Sequence, residues 1–198
     1  SISKSKQYLI FTPQEQFMIA TGKRFFKGYD DYDQVLKMTF DLETTGLDTK
    51  KDKINQIGIR MNRPFEGHPD GFEKIITIEG NTESELRKNE LEGIRTMFKM
   101  IFTFKPDIIT AHNGENFDWN VIIDACERLG TSIVDVSSPF FKGKTIRKEN
   151  KESVLKLGGE MEYYRQTIVP EIIVTDSLHA VRRAQATDSS FKKADLKY

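Results

Sequence analysis

Cysteine is nearly absent. Cys126 stands alone in 198 residues, so no disulfide framework can form within the chain. Long apolar runs are missing too. None approaches the roughly 18 residues that span a bilayer, and the first residues lack the layout of a signal peptide. Nor is there an excess of one charge. Lys plus Arg and Asp plus Glu number 30 each, whereas a free-standing nucleic-acid-binding module is usually basic. A phosphate-bearing ligand would need local charge, a metal, or another part of a larger protein. The 37% hydrophobic and 30% charged residues that remain describe a folded globular domain, not a disordered chain. No membrane partner is expected. An intracellular location is: cytoplasm or nucleoid, or nucleus if the source is eukaryotic.

One stretch carries chemistry. In "MTFDLETTGLD", residues 38–48, a strand pattern runs into a turn. Strand side chains alternate between faces. Met38, Phe40 and Leu42 then share one face, and Thr39, Asp41 and Glu43 the other. The two carboxylates point the same way with Cα atoms roughly 7 Å apart. Such a pair repels unless water or a cation intervenes. The bland reading is a half-buried strand with a wet face.

Around this stretch the pattern is α/β. Strands are predicted at 36–42, 54–61 and 72–78, consecutive and antiparallel, as a meander. Thr82 followed by Glu85 fits a capping box. It opens a helix whose apolar residues Leu91, Ile94, Met97, Phe98, Ile101 and Phe102 recur at helical spacing until Pro106. A short apolar strand follows at 107–111, parallel to the first. A Gly- and Asn-rich loop covers 112–117, and a helix covers 118–129 with Gly130 as its stop. Cys126 lies on the apolar side of that helix and reads as core. Residues 137–151 read as a basic loop, 153–168 as a hairpin around Gly158 and Gly159, 172–175 as a strand and 177–186 as a helix.

The second candidate station is "IITAHNGENFDWN", residues 108–120. Ligands of open α/β sheets gather outside the carboxyl ends of the strands, which is where Asp118 falls. If the strand at 107–111 neighbours the first, then Asp41, Glu43 and Asp118 converge. Oxygen ligands of this kind suit Mg²⁺ or Mn²⁺. Simpler readings stand beside this one. Asp118 could be a helix cap, Phe117 a core residue, and His112 a satisfied loop histidine.

The ordered pair "FDLETTGL" and "NGENFD" resembles the first two motifs of the DEDD (DnaQ-like) 3′→5′ exonucleases. "PDIITAHNGENFD" and "VTDSLHAVRRAQATDSSFKKADLKY" are most similar to the proofreading exonuclease domain of family B DNA polymerases. The resemblance covers residues 36–198. It implies a ribonuclease H-like fold: a mixed central sheet flanked by helices, with an inserted β-hairpin. Residues 1–35 would form an N-terminal segment, and 36–198 an exonuclease domain truncated at its C-terminus. It implies two Mg²⁺ (or Mn²⁺) ions held by Asp41, Glu43 and Asp118, which are also the expected catalytic residues. Thr44, Thr45, Gly46 and Leu47 would seat the terminal nucleotide, and Asn113 and Phe117 would contact the strand end. The implied partners are the 3′ end of single-stranded DNA and the remainder of a polymerase chain.

The family's fourth acid is missing. It belongs to a third motif, either Tyr followed four positions on by Asp or His followed five on. His179 leads to Ala184, Tyr163 to Thr167 and Tyr164 to Ile168. Tyr29 does lead to Asp33, but ahead of the first motif. The expectation is that the fourth ligand lies beyond Tyr198, leaving this piece weak or inactive. Asp176 is a possible substitute, but it also reads as a cap of the next helix. Asp188 and Asp195 read as solvated. The basic residues 142–151, and Arg182 with Arg183, read as strand guides or plain wet surface. Two other functions stay open: a catalytically silent structural or nucleic-acid-binding domain of a polymerase, and an RNA exonuclease of the same superfamily.

Overall fold

Alternation of apolar and polar residues builds the sheet on which everything else rests. The computed structural model describes residues 12–22, 28–157 and 160–187. The chain divides into two units, Ser1–Val35 and Leu36–Tyr198. In the first unit, helix α1 (Pro13–Thr21) starts at a reciprocal capping box between Thr12 and Glu15 and stops at Gly22, whose φ of 63° is left-handed.

The second unit holds a five-stranded mixed sheet in the order β3-β2-β1-β4-β9. Strands β1 (Lys37–Thr44), β2 (Ile54–Met61) and β3 (Glu73–Thr77) form the antiparallel meander. Strands β4 (Ile108–Ala111) and β9 (Ile173–Asp176) add on in parallel. On β1, Met38, Phe40 and Leu42 are buried, while Thr39, Asp41 and Glu43 are exposed. All four residues of β4 are buried, as expected of a parallel strand covered on both faces.

Helices flank this sheet. Helix α2 (Glu83–Phe104) packs Ile94, Met97, Phe98 and Ile101 into the core. The expected capping box at its start is half made. Thr82 accepts from the Glu85 N–H, but the Glu85 carboxylate takes the N–H of Asn81 instead of Thr82. Helix α3 (Asp118–Arg128) buries Trp119, Val121, Ile122, Ala125 and Cys126. Trp119 meets Phe40 of β1 edge-to-face, with ring centroids 5.0 Å apart. The α/β, ribonuclease H-like architecture expected from the sequence is therefore present.

Beyond the sheet, β6 (Ser153–Leu157) and β7 (Glu160–Tyr164) pair as the expected hairpin, though its Gly158 and Gly159 lie outside the described residues. The hairpin's second strand ends at Tyr164, short of 168. Thr167 and Ile168 form β8 (Thr167–Ile168), which pairs instead with β5 (Arg147–Lys148). The segment read as a basic loop thus contains a strand, and α4 (Ile133–Ser137) just precedes it. Both elements are too short to show a period. Helix α5 (Ser177–Thr187) follows β9. Asp188, Asp195 and the terminal "DLKY" lie outside the described residues. Among the described residues, no helix is long and apolar enough to cross a membrane.

Candidate active site

Three parallel strands, β1, β4 and β9, deliver polypeptide to one edge of the sheet. The last β1 to β4 pair is Thr39 with Thr110, and the last β4 to β9 pair is Ala111 with Asp176. Strand β1 therefore runs past the end of β4, carrying Asp41 and Glu43 beyond it. The chain leaving β4 turns through residues 112–117 and enters α3 at Asp118. A crevice at strand carboxyl ends is where such sheets bind ligands.

Asp41 keeps solvent access, yet its surroundings hold its carboxyl above the usual range. Partial burial is the main cause and the charge of Glu43 the second, while the Leu42 N–H and His112 oppose them. Asp118 is only 2% exposed. Burial, then the charge of Asp41, push its carboxyl up to about 7; its own N–H and that of Leu42 pull back, and Asp176 adds to the rise. Asp118 is not the helix cap. Phe117 occupies that position without a side-chain cap bond. A buried acid close to a second acid, with no capping role, is the pattern by which perturbed groups mark functional sites.

The expected cluster is closed only in part. Asp118 is coupled to Asp41, and Asp41 to Glu43. Among the described residues, no group of three or more His, Cys, Asp or Glu side chains stands ready to hold a metal ion. The donor chemistry fits a hard cation, since the residues are carboxylates whose mutual repulsion a cation would relieve. Asp41 and Asp118 are the carboxylates such a cation would meet, with Glu43 close to Asp41.

The turn after β1 is held from below. Thr45 Oγ1 donates to Asp52 Oδ1 at 2.9 Å, and the Asp48 N–H donates to Asp52 Oδ2 at 2.8 Å. A Cβ on Gly46 would lie 2.6 Å from that same Oδ2, so a side chain there would force the Asp52 carboxylate to move. Thr44 Oγ1 donates to the Gly46 carbonyl. The Thr45 N–H is spent on the Lys53 carbonyl and does not point to a ligand. Leu47 is 85% exposed, an apolar surface in water. Arg128 fastens the whole connection. It donates to the Asp52 carbonyl and to the buried Glu90 carboxylate, which also accepts from the Ile54 N–H.

The 112–117 loop is held as firmly. Asn113 takes a left-handed φ of 63°, a conformation Asn tolerates, and its carbonyl accepts from Asn116 and Phe117. Phe117 is half-buried against the core, so part of its ring serves packing. A Cβ on Gly114 would lie 2.6 Å from that of Ala111. His112 Nδ1 lies 3.0 Å from Ser177 Oγ.

Sequence reasoning missed Glu115. Its buried carboxylate accepts from the N–H and Oγ1 of Thr167 and from Lys148 Nζ. Nothing local marks a loop glutamate as buried, because its partners lie far along the chain. Lys148 is accordingly a brace rather than a strand guide. Arg182 is tied to Glu162, and Lys144 to Glu171. Asp176 caps α5 through the Leu178 N–H, as its simpler reading held, and also binds the 112–117 loop.

No curated protein matches the chain. A family B DNA polymerase from the hyperthermophilic archaeon Pyrobaculum calidifontis is a structural neighbour, with a TM-score of 0.45 and 18% identity, covering 72% of this chain and 15% of its own. The chain thus spans a small part of that protein's length. The family described as DNA polymerase family B, exonuclease domain, matches residues 14–194, nearly the whole sequence. The chain belongs to the family B DNA polymerase exonuclease domains.

Proposed function

We propose that the domain removes nucleotides from the 3′ ends of single-stranded DNA by metal-assisted hydrolysis, as the proofreading part of a polymerase chain. One observation carries this reading: Asp118, buried and outside the cap position of its helix, lies close enough to Asp41, at the carboxyl end of the central strands, for the Asp41 charge to help raise its carboxyl. Asp41, Asp118 and Glu43 are the residues to hold divalent cations, Mg²⁺ or Mn²⁺. Bound there, such ions supply an acidified water and charge to offset a phosphodiester. Leu47 offers a face on which a terminal base can pack, and the exposed part of Phe117 a second. Neither contact distinguishes one base from another, as suits an enzyme that must accept any 3′ end.

The test is cleavage of a 3′-labelled oligonucleotide in Mn²⁺. The chain should release that label at the weak rate expected of it, and Asp41→Asn should abolish the release. Equal rates in the two proteins would reject the assignment. A second reading, a catalytically silent domain that serves structure or nucleic-acid binding, draws on the lack of a ready-made three-carboxylate group among the described residues. Mn²⁺ calorimetry separates the two. Heat that disappears in Asp118→Asn belongs to the enzyme reading, and no heat from either protein belongs to the silent one.

A further inference from the structure

Asp176 is spent on more than a helix cap. Its carboxylate closes β9 and is 6% exposed. Oδ1 accepts from the main-chain N–H groups of Leu178 and Asn113, each at 2.9 Å, and Oδ2 accepts from that of Glu115 at 3.0 Å. The first of these caps α5. The other two seize the loop leaving β4 within four residues of Ala111. From there the loop has little slack. The Asn113 carbonyl accepts from Phe117, and the Gly114 carbonyl accepts from Trp119, which follows Asp118.

We infer that Asp176 is a positioning residue for the carboxylate pair: it fixes the entry of the 112–117 loop and so turns Asp118 toward Asp41. This rests on the proposed function only in taking that pair as the metal-binding centre. A carboxylate accepting three N–H bonds is a well-satisfied acceptor, which sets this role apart from that of a further cation ligand. Ser is as good a helix cap as Asp but is too short to reach Asn113 and Glu115 as well. Asp176→Ser therefore keeps the cap and removes the loop anchor.

Two measurements on the full chain test this. In metal-free protein, amide hydrogen exchange at Asn113 should quicken at least tenfold in Asp176→Ser, while that of Ile57 in β2 stays unchanged. In the cleavage assay, half-saturation by Mn²⁺ should rise at least fivefold. An equally destabilised core variant, Ile94→Val, should not shift it. Unchanged exchange at Asn113 overturns the inference, whether or not the protein cleaves DNA. So does unchanged Mn²⁺ half-saturation in an active variant. If Asp176→Ser does not fold, Asp176→Asn, which loses only the acceptor facing Glu115, takes the same measurements at the Glu115 amide. A wild-type chain inactive on 3′ ends bears on the exonuclease reading alone, and the exchange result then decides the positioning.

Discussion

At the scale of single residues, the site depends on where side chains are forbidden as much as on where they are charged. Gly46 and Gly114 sit in the two loops that flank the carboxylate pair, and each would drive a Cβ to 2.6 Å from a neighbour. The neighbours differ. Gly46 faces the Asp52 carboxylate, which can swing aside by giving up its bonds to Thr45 and Asp48. Gly46→Ala should therefore cost about 1–2 kcal/mol, the worth of those bonds, as read from the urea midpoint. Gly114 faces the buried Ala111 at the end of β4, where only backbone can yield. Gly114→Ala should cost about 1–3 kcal/mol and be the more damaging to cleavage. Cys126 is inert by placement. Burial, with the Glu90 charge, pushes its thiol up to about 12, so almost no thiolate exists to react. The native chain should resist iodoacetamide at pH 8 and take up one equivalent once unfolded in urea.

At the scale of elements, buried ion pairs join what hydrophobic packing alone would leave loose. Lys148 of β5 and Glu115 of the 112–117 loop form one such pair, and Thr167 of β8 completes it. Burial lowers the Lys148 ammonium below its ordinary range, against the pull of Glu115. Lys148→Met would leave the Glu115 charge buried with only the Thr167 donors. The expected loss is about 3 kcal/mol, measured by chemical denaturation. Glu115→Gln combined with Lys148→Met should recover part of it, since the stranded charge is gone. The Phe40 and Trp119 contact acts at the same scale. Each ring stands one residue from a carboxylate of the pair, so their packing docks α3 against β1. Trp119→Leu should cost about 2–4 kcal/mol and lower cleavage beyond its effect on stability.

At the scale of the whole molecule, the pair makes stability depend on pH. Asp118 binds its proton with a native pKa of about 7, against an ordinary 3.8. Between those values the native state holds a proton that the unfolded chain has released. Stability of the metal-free chain should therefore fall as pH rises from about 4 to about 7, by up to about 4 kcal/mol, and level off above. Thermal unfolding of Asp118→Asn should keep only the smaller slope that the raised Asp41 carboxyl supplies. Mg²⁺ should raise the melting temperature at pH 8 in the wild type and not in the variant, because a bound cation favours the ionised acid. A slope of the same size in both proteins would place the titrating group elsewhere.

Much of this was legible in the order of residues. The alternation from Met38 to Glu43 set the two faces of β1, because a strand has only two. The 54–61 strand, the long amphipathic helix and the parallel strand after Pro106 followed from period and punctuation. That Asp118 lies near Asp41 was an expectation of a different kind, open on strand adjacency alone and carried by the resemblance of the two motifs. Contacts between distant segments were not legible. That Glu115 is buried, that Lys148 braces rather than guides, that Asp52 supports Gly46, and that Asp176 holds Asn113 all depend on groups 6 to 63 positions apart. Local pattern records which face a side chain takes, since that is a property of its own element. It carries no record of what another element brings to that face. Burial, and with it the charge state of Asp118, is settled only when the sheet closes and α3 docks upon it.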